Sequence, residues 1–434
     1  MKKSIGLILF GLMISFNSDA QASLDWLRPI SEINAGDTTW IMVATILVLF
    51  MTIPGLALFY AGMVRKKNVL STMVQSFASC CLIAVIWVCF GYSLAFTPNN
   101  ALIGGADRFF LDGLALFSAK GTLSIYPGAS TIPEPVFMMF QMAFAIIAGA
   151  IITGAFAERM KFSALLLFVG LWSLLIYVPT AHWVWGLDGW LASDGVLDYA
   201  GGTVIHINAG IAGLVAAIMI GKRVGYGREV MAPHNLVLTL MGTAMLWIGW
   251  FGFNSGSALA ADARAAMAMA TTQSAAVTGA LTWSLMEVML KHKPSALGLA
   301  SGAIAGLVGI TPAAGFVSVQ SALLIGIITS LICFFTATKL KYWLGYDDTL
   351  DAFGIHGVGG IVGAILTGLF VNRDIANADT TLWLQTESVL ITVAYSALGS
   401  FVLLKLIDKT IGLRVNYEQE REGLDLVLHG ERIE

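Results

Sequence analysis

Apolar residues run through this chain in blocks of about 20, separated by short polar stretches. That length lets an α-helix cross the hydrocarbon core of a bilayer. The blocks are continuously apolar rather than alternating, which argues for helices and against a membrane β-barrel. Eleven spans are predicted near residues 38–62, 69–96, 134–157, 162–181, 203–221, 235–258, 268–290, 298–311, 319–340, 351–371 and 387–411. The fold class expected is therefore an all-α membrane protein of eleven transmembrane helices.

The first 22 residues follow another pattern. A basic start, "MKK", leads into a short apolar stretch, and Ala20 and Ala22 form an A-x-A cleavage site before Ser23. These are the features of a secretory signal peptide, 1–22, which places the mature N-terminus outside. Residues 23–411 are then the transmembrane domain and 412–434 a cytoplasmic tail, in a multi-pass protein of the inner (plasma) membrane. The basic residues agree with that topology: the loops predicted inside ("RKKN", "ERMK", "GKRVGYGRE", "KHKPS", "TKLKYW") hold twelve Lys and Arg. The loops predicted outside hold four, namely Arg108, Lys120, Arg264 and Arg373. Basic residues concentrate on the cytoplasmic side of membrane proteins.

Composition sharpens the class. The chain is 57% hydrophobic and 12% charged over 434 residues, with mean hydropathy +0.80, too little charge to cover a soluble surface. A net charge of −3 gives no reason to expect a nucleic-acid partner. Cys80, Cys81, Cys89 and Cys333 show no metal-ligand spacing and read as helix packing. No cofactor or catalytic nucleophile is expected. Gly302 with Gly306, and Gly359 with Gly363, are small-xxx-small pairs that let helices approach closely.

Two apolar spans carry a histidine, in "HINAGIAGLVAA" (His206) and "HGVGGIVGAILT" (His356). A neutral packing histidine is one reading; an ionisable residue inside a membrane is more often functional. The two segments resemble each other and fall in the fifth and tenth spans. If spans one to five and six to ten are repeats, the odd number in each makes them inverted, with a final eleventh helix left over. Inverted repeats place a site at their interface near the midplane, where both histidines would then meet.

Phe140 and Phe144 lie four apart on one face of span three, and Trp250, Phe253, Asn254 and Ser257 share a face of span six. Such stripes are also what a core looks like. Here the second ends in a hydroxyl near the predicted outer surface, and Trp185 lies in an outer loop. Aromatic faces attract a small cation by about 0.5–2 kcal/mol each, whereas an anion site would call for arginines. Asp198 precedes the His206 helix and reads equally as a helix cap or as a carboxylate that favours a nearby cation. Asp351, before "FGIH", reads as a cap.

The ordered set "ALFYAGMV", "AERMKFSA", "LDYAGGTVIHINAGIAGLV", "PHNL", "WIGWFGFNSGS", "SGAIAGLVGITPAAG", "DAFGIHGVGGIVG" and "GLRVNYEQEREGLDLVLHGE" resembles the ammonium transporter (Amt/Mep/Rh) family, on its bacterial Amt side, over nearly the whole mature chain. The resemblance implies a homotrimer with one pore per subunit. It implies ammonium recruitment at Trp185, Phe144 and Ser257, a phenylalanine gate of Phe144 and Phe253, and flanking positions at Phe140 and Trp250. It makes His206 and His356 the lumenal pair and Asp198 the essential aspartate. A tail that packs across subunits, and a PII-type nitrogen-signalling partner at the cytoplasmic face, are further implications; read from its mixed charges alone, the tail is a solvated end. The function expected is transport of ammonium or ammonia. An ammonium sensor with little conduction is the alternative; sensors of the family tend to carry an added cytoplasmic signalling domain, so a chain that stops at "LHGERIE" is expected to favour transport.

Overall fold

The computed structural model describes residues 26–433 apart from Ala115, so the expected signal peptide, 1–22, lies outside the described residues. Helices occupy all eleven predicted segments. The first six are α1 (Ala35–Met63), α2 (Lys66–Phe96), α3 (Glu134–Thr153), α4 (Phe162–Ser193), α5 (Gly202–Ile220) and α6 (Leu236–Gly256). Then come α7 (Ala263–Lys291), α8 (Ala296–Ile310), α9 (Val319–Leu344), α10 (Ala352–Phe370) and α11 (Leu382–Thr410). Among the described residues nine of these are long and apolar enough to cross a membrane; α7 and α8 are the other two. With 15 residues, α8 falls short of the hydrocarbon thickness. The nine make this a multi-pass helical membrane protein.

Side-chain size explains how α7 and α8 are accommodated. A Cβ at Gly306 would collide with the Ala275 carbonyl of α7, and one at Gly363 with the Gly309 carbonyl, so α8 is gripped between α7 and α10. Asn34, Asn235, Asp262, Ser295, Ser318 and Thr381 accept hydrogen bonds from the first turns of α1, α6, α7, α8, α9 and α11. In α1 the helix is broken at Ile53 (φ −128°, ψ 106°), ahead of Pro54, which has no N–H to donate. Both α5 and α10 open in a wide turn, Gly202–Ile207 and Ala352–Gly357, and each of these turns carries one of the two histidines.

Three short strands, β1 (Leu27–Pro29), β2 (Leu116–Phe117) and β3 (Thr122–Ser124), form an antiparallel sheet in the order β1-β3-β2. The sheet lies at the end of the helices that carries Trp185: Trp26 packs edge-on against Tyr126 at 5.9 Å, and the Tyr126 hydroxyl donates to the Trp185 carbonyl.

At the opposite end, the C-terminal tail is not a solvated end. Leu424 and Asp425 are buried, and Asp425 accepts from the backbone N–H groups of Leu70 and Ser71, capping the first turn of α2. Buried Glu420 is bonded by Val224 N–H and by the Arg414 guanidinium. Cysteines also divide: Cys333 is buried, but Cys81 is exposed, so packing does not account for it.

The same end holds a buried ionic network. Glu158 (1% exposed) pairs with Arg65 at 2.9 Å and Arg223 at 3.1 Å, and Arg223 also pairs with Asp347 at 2.8 Å. Arg159 (0% exposed) donates to carbonyls of Ala157, Gly221 and Asp347. Burial alone would raise the Glu158 carboxyl, but Arg223 and Arg65 together hold it below the usual carboxylate range. A carboxyl depressed on folding contributes stability that is complete above its unfolded value, about 4.3, and is lost as pH falls through the lower folded value. Glu158→Gln is therefore expected to lower the melting temperature at pH 7, because removing one member of a buried pair costs about 3–5 kcal/mol. Its melting temperature should also change less than the parent's between pH 7 and pH 3. Equal melting temperatures at pH 7 would show that the network contributes nothing.

Candidate functional site

Near the middle of the helices the two wide turns meet. The Nδ1 atoms of His206 and His356 are 3.2 Å apart, with ring planes 20° from parallel. One ring must present Nδ1–H and the other a bare Nδ1, so the pair holds one imidazole of each tautomer. His206 is 1% and His356 5% exposed, and Nε2 of His206 has no hydrogen-bond partner among the described residues. Trp250 stacks on His206 at 5.5 Å and 19°, with Phe253 at 6.1 Å. Met51, Leu56, Phe59, Ile147, Ile151, Leu246 and Ile304 complete an apolar chamber of about 10 Å³, room for about one water-sized molecule.

The aromatic pairs stand between this chamber and a larger opening. Phe144 and Phe253 lie face to face, 4.3 Å apart and 4° from parallel. Phe140 is tilted against Phe144 at 4.7 Å, and Trp185 meets Phe144 edge-on at 5.9 Å. Above them lies a vestibule of about 300 Å³ lined by Tyr126, Phe140, Gln141, Phe144, Trp185, Tyr199 and Ser257 among others. The Ser257 hydroxyl donates to the Phe253 carbonyl at 2.9 Å, leaving its lone pairs as acceptors. The i, i+4 and i, i+3 spacings of α3 and α6 are what bring these rings together: Phe140 and Phe144 share one helix face, Phe253 and Trp250 another.

Gln141 was not singled out by the sequence. Its Oε1 is buried, has no partner among the described residues, and belongs to a side chain that lines the vestibule. The signal available was one amide in the apolar run "MMFQMAFAII", beside Phe140 and three residues before Phe144.

Asp198 stands apart from both cavities' linings. Its Oδ1 accepts from Gly201 N (2.9 Å) and Gly202 N (2.6 Å), and Oδ2 accepts from Thr203 N (2.8 Å), Val204 N (3.2 Å) and the Thr203 hydroxyl. Five donors fill a carboxylate with about four lone-pair sites, so the cap reading is the one the geometry favours. Asp198 also reaches the vestibule through its backbone: its carbonyl accepts from the Trp185 indole N–H at 2.8 Å.

The second turn has its own aspartate, and it is not Asp351. Asp348 accepts from the N–H groups of Ala352, Phe353 and Gly354, whereas Asp351 pairs with Lys341 at 2.6 Å and makes no cap bond. Asp348 precedes His356 by eight residues, as Asp198 precedes His206; aspartates and histidines alike are 150 positions apart. Burial, then Asp351, pushes the Asp348 carboxyl up to about 6, against the opposing pull of Lys341.

Comparison with known proteins gives one consistent result. Residues 39–433 match the Ammonium Transporter Family. An ammonium transporter of Bacillus subtilis is 48% identical over 408 residues, 92% of this chain and 98% of that protein. One from Aquifex aeolicus is 44% identical over 436 residues, 99% and 98% of the two chains. The crystal structure of Candida albicans Mep2 superposes with a TM-score of 0.82 at 34% identity, covering 89% of this chain and 88% of that one. A structure described as a sensor Amt protein gives 0.83 at 28% identity, covering 91% and 98%.

Proposed function

The chain belongs to the ammonium transporter family, and from that premise we propose that it carries ammonium through one pore per subunit as ammonia and a separately handled proton. Its family is one of transporters rather than enzymes. The observation that carries the proposal is the His206–His356 pair, joined through Nδ1 inside an apolar chamber and screened by the Phe144–Phe253 stack.

In this reading the vestibule faces outward and draws ammonium onto Trp185 and Phe144, with Ser257 Oγ and Gln141 Oε1 accepting its N–H groups. An intact ion would have to shed its water to pass the phenylalanines, at a cost of several kcal/mol. Breaking one N–H bond at the mouth, with the electron pair left on nitrogen, gives neutral ammonia that the aromatic gate tolerates. Water in the vestibule takes the proton first; a proton then enters the pair at the bare far nitrogen of one imidazole, the shared proton shifts across the Nδ1–Nδ1 hydrogen bond, and a third leaves from the far nitrogen of the other ring. The excess of basic residues at the tail end supports a cytoplasmic tail end in a protein of the plasma membrane. The common spacing of 150 between the aspartates and histidines supports two inverted five-helix repeats, with α7 and α8 as crossings despite their composition and length. A homotrimer, the division at residues 22 and 411, and a PII-type partner at the tail end complete the proposal.

The likeness to the sensor structure favours one alternative, a receptor that binds ammonium and conducts little. The test separates them. Purified protein in proteoliposomes on a solid-supported membrane should give a current on an ammonium jump, saturating with concentration. Binding without current would favour the receptor; neither would reject both.

Trp185→Leu removes the ring and the bond to Asp198 but leaves the gate in place. It is expected to raise the half-saturating ammonium concentration roughly two- to thirtyfold, the loss of one cation–π contact. An unchanged concentration dependence would take Trp185 out of recruitment.

A further inference from the structure

Trp26, just ahead of β1, does not line the vestibule, yet two separate chains of contacts lead from it to the vestibule's parts. The first is aromatic. Trp26 meets Tyr126 edge-on at 5.9 Å, and Tyr126 lies flat on Phe137, 4.1 Å away and 7° from parallel. Tyr126 and Phe137 both line the vestibule. The Tyr126 hydroxyl donates to the Trp185 carbonyl at 3.3 Å, while the Trp185 indole donates to the Asp198 carbonyl at 2.8 Å. The recruiting tryptophan is thus held at its backbone by Tyr126 and at its ring by Asp198.

The second chain is ionic. The Arg108 guanidinium lies over the Trp26 ring, 4.6 Å from its centroid, and its Nε donates to Glu134 Oε1 at 2.9 Å. Glu134 is fully buried, accepts from the Tyr92 hydroxyl as well, and opens α3, the helix that carries Phe140 and Phe144. Backbone pairing keeps Trp26 in reach of both chains. Ile125 N–H donates to the Trp26 carbonyl at 2.8 Å and Leu27 stands opposite Ser124, so the strand pair delivers Trp26 beside Tyr126. An edge-on ring contact sets orientation as well as distance. Tyr126 is therefore fixed between Phe137 on its face and Trp26 against it, and its hydroxyl is aimed at Trp185.

We infer that Trp26 is a positioning residue for ammonium recruitment, acting through Tyr126 on Trp185. The inference rests on the reading that the vestibule recruits ammonium at Trp185, and it adds that the outer sheet is a working part of that site.

The test reads binding and conduction separately on the full chain. Binding is the rise in melting temperature as ammonium chloride replaces sodium chloride at constant ionic strength, since a ligand of the folded state stabilises it in proportion to its occupancy. Conduction is the ammonium-driven current. Trp26→Ala should raise the half-saturating ammonium concentration about two- to tenfold in both, the range that one aromatic pair is worth, and leave the maximal current unchanged. Trp26→Phe keeps a ring against Tyr126 and should restore the parental value. Tyr126→Phe keeps the ring contacts, removes only the hydroxyl, and should raise the half-saturating concentration as Trp26→Ala does. In a Trp185→Leu background, Trp26→Ala should add nothing, because the ring it positions is gone. A parental half-saturating concentration in Trp26→Ala or Tyr126→Phe would overturn the inference and leave recruitment standing. So would an equal further loss in the Trp185→Leu background, which would show that Trp26 acts by another route. A parent with no ammonium-dependent rise in melting temperature would remove recruitment at the vestibule, and the inference with it.

Discussion

Alanine at position 198 is expected to abolish ammonium-driven current. The loss would come through architecture rather than through a missing charge at the vestibule. Asp198 is the shared acceptor for four consecutive N–H groups and one hydroxyl at the start of α5. In Asp198→Ala these donors lose their partner in a site that is 5% exposed, and each buried donor left unsatisfied costs about 1–3 kcal/mol. The wide turn they define, Gly202–Ile207, sets the position of the His206 ring against His356 and Trp250. The Asp198 carbonyl also fixes the Trp185 indole, so both ends of the pathway shift together. Asp198→Glu keeps the carboxylate one methylene further out and should retain part of the current. Asp198→Asn keeps one acceptor oxygen but turns a donor toward two others, so it should fall between alanine and glutamate in melting temperature. Currents and melting temperatures measured on the four proteins decide the matter. An alanine variant that melts and conducts like the parent would make the aspartate dispensable. An asparagine variant with parental stability and no current would move the explanation from capping to charge.

The positions of the helices were legible because burial in a membrane writes long apolar runs, and the eleven predicted segments all coincide with helices. Less visible was which of them are long enough to cross. The run at 298–311 is apolar, yet it belongs to a helix of 15 residues, and only the glycine contacts with α7 and α10 show how it is held. The strands escaped notice because two or three residues cannot display a period of two. The histidine pair could be anticipated from two similar segments, but the turns that aim the rings could not. Gly201 (φ 109°) and Asp351 (φ 56°) take left-handed conformations just before α5 and α10. That reversal moves the effective caps back to Asp198 and Asp348, so adjacency to "FGIH" pointed to the wrong aspartate. Counting "ERMK" as loop charge hid another feature. Glu158 and Arg159 are buried and tie the loops together, because their partners Arg65, Arg223 and Asp347 are remote in sequence.

If His206 and His356 only filled space, an apolar replacement of similar volume would cost under about 1.5 kcal/mol and leave transport alone. Their geometry argues for a larger effect. Two neutral imidazoles joined Nδ1 to Nδ1 present, at their far nitrogens, one acceptor and one donor to the chamber. A proton gained at the acceptor displaces the shared one and releases a third, so charge can be passed on without either ring remaining an imidazolium. Nε2 of His206 has no hydrogen-bond partner among the described residues, and its ring lies against Trp250 and Phe253, on the gate side of the pair. His206→Ala breaks this chain beside the gate and His356→Ala breaks it on the far side. Each is expected to reduce ammonium-driven current about a hundredfold or more, the low end of the range over which general acid–base groups act, while the protein stays folded and assembled. His206→Asp restores a titratable group but also an ion that holds water, and the wetted chamber should then pass an intact cation. That variant is expected to conduct and to lose selectivity, carrying potassium as well as ammonium. The measurement is ammonium-driven and potassium-driven current for the parent and the three variants, with melting temperature and assembly size as controls. Parental current and parental selectivity in all three, with the fold intact, would return both histidines to a packing role and remove the proton relay from the mechanism.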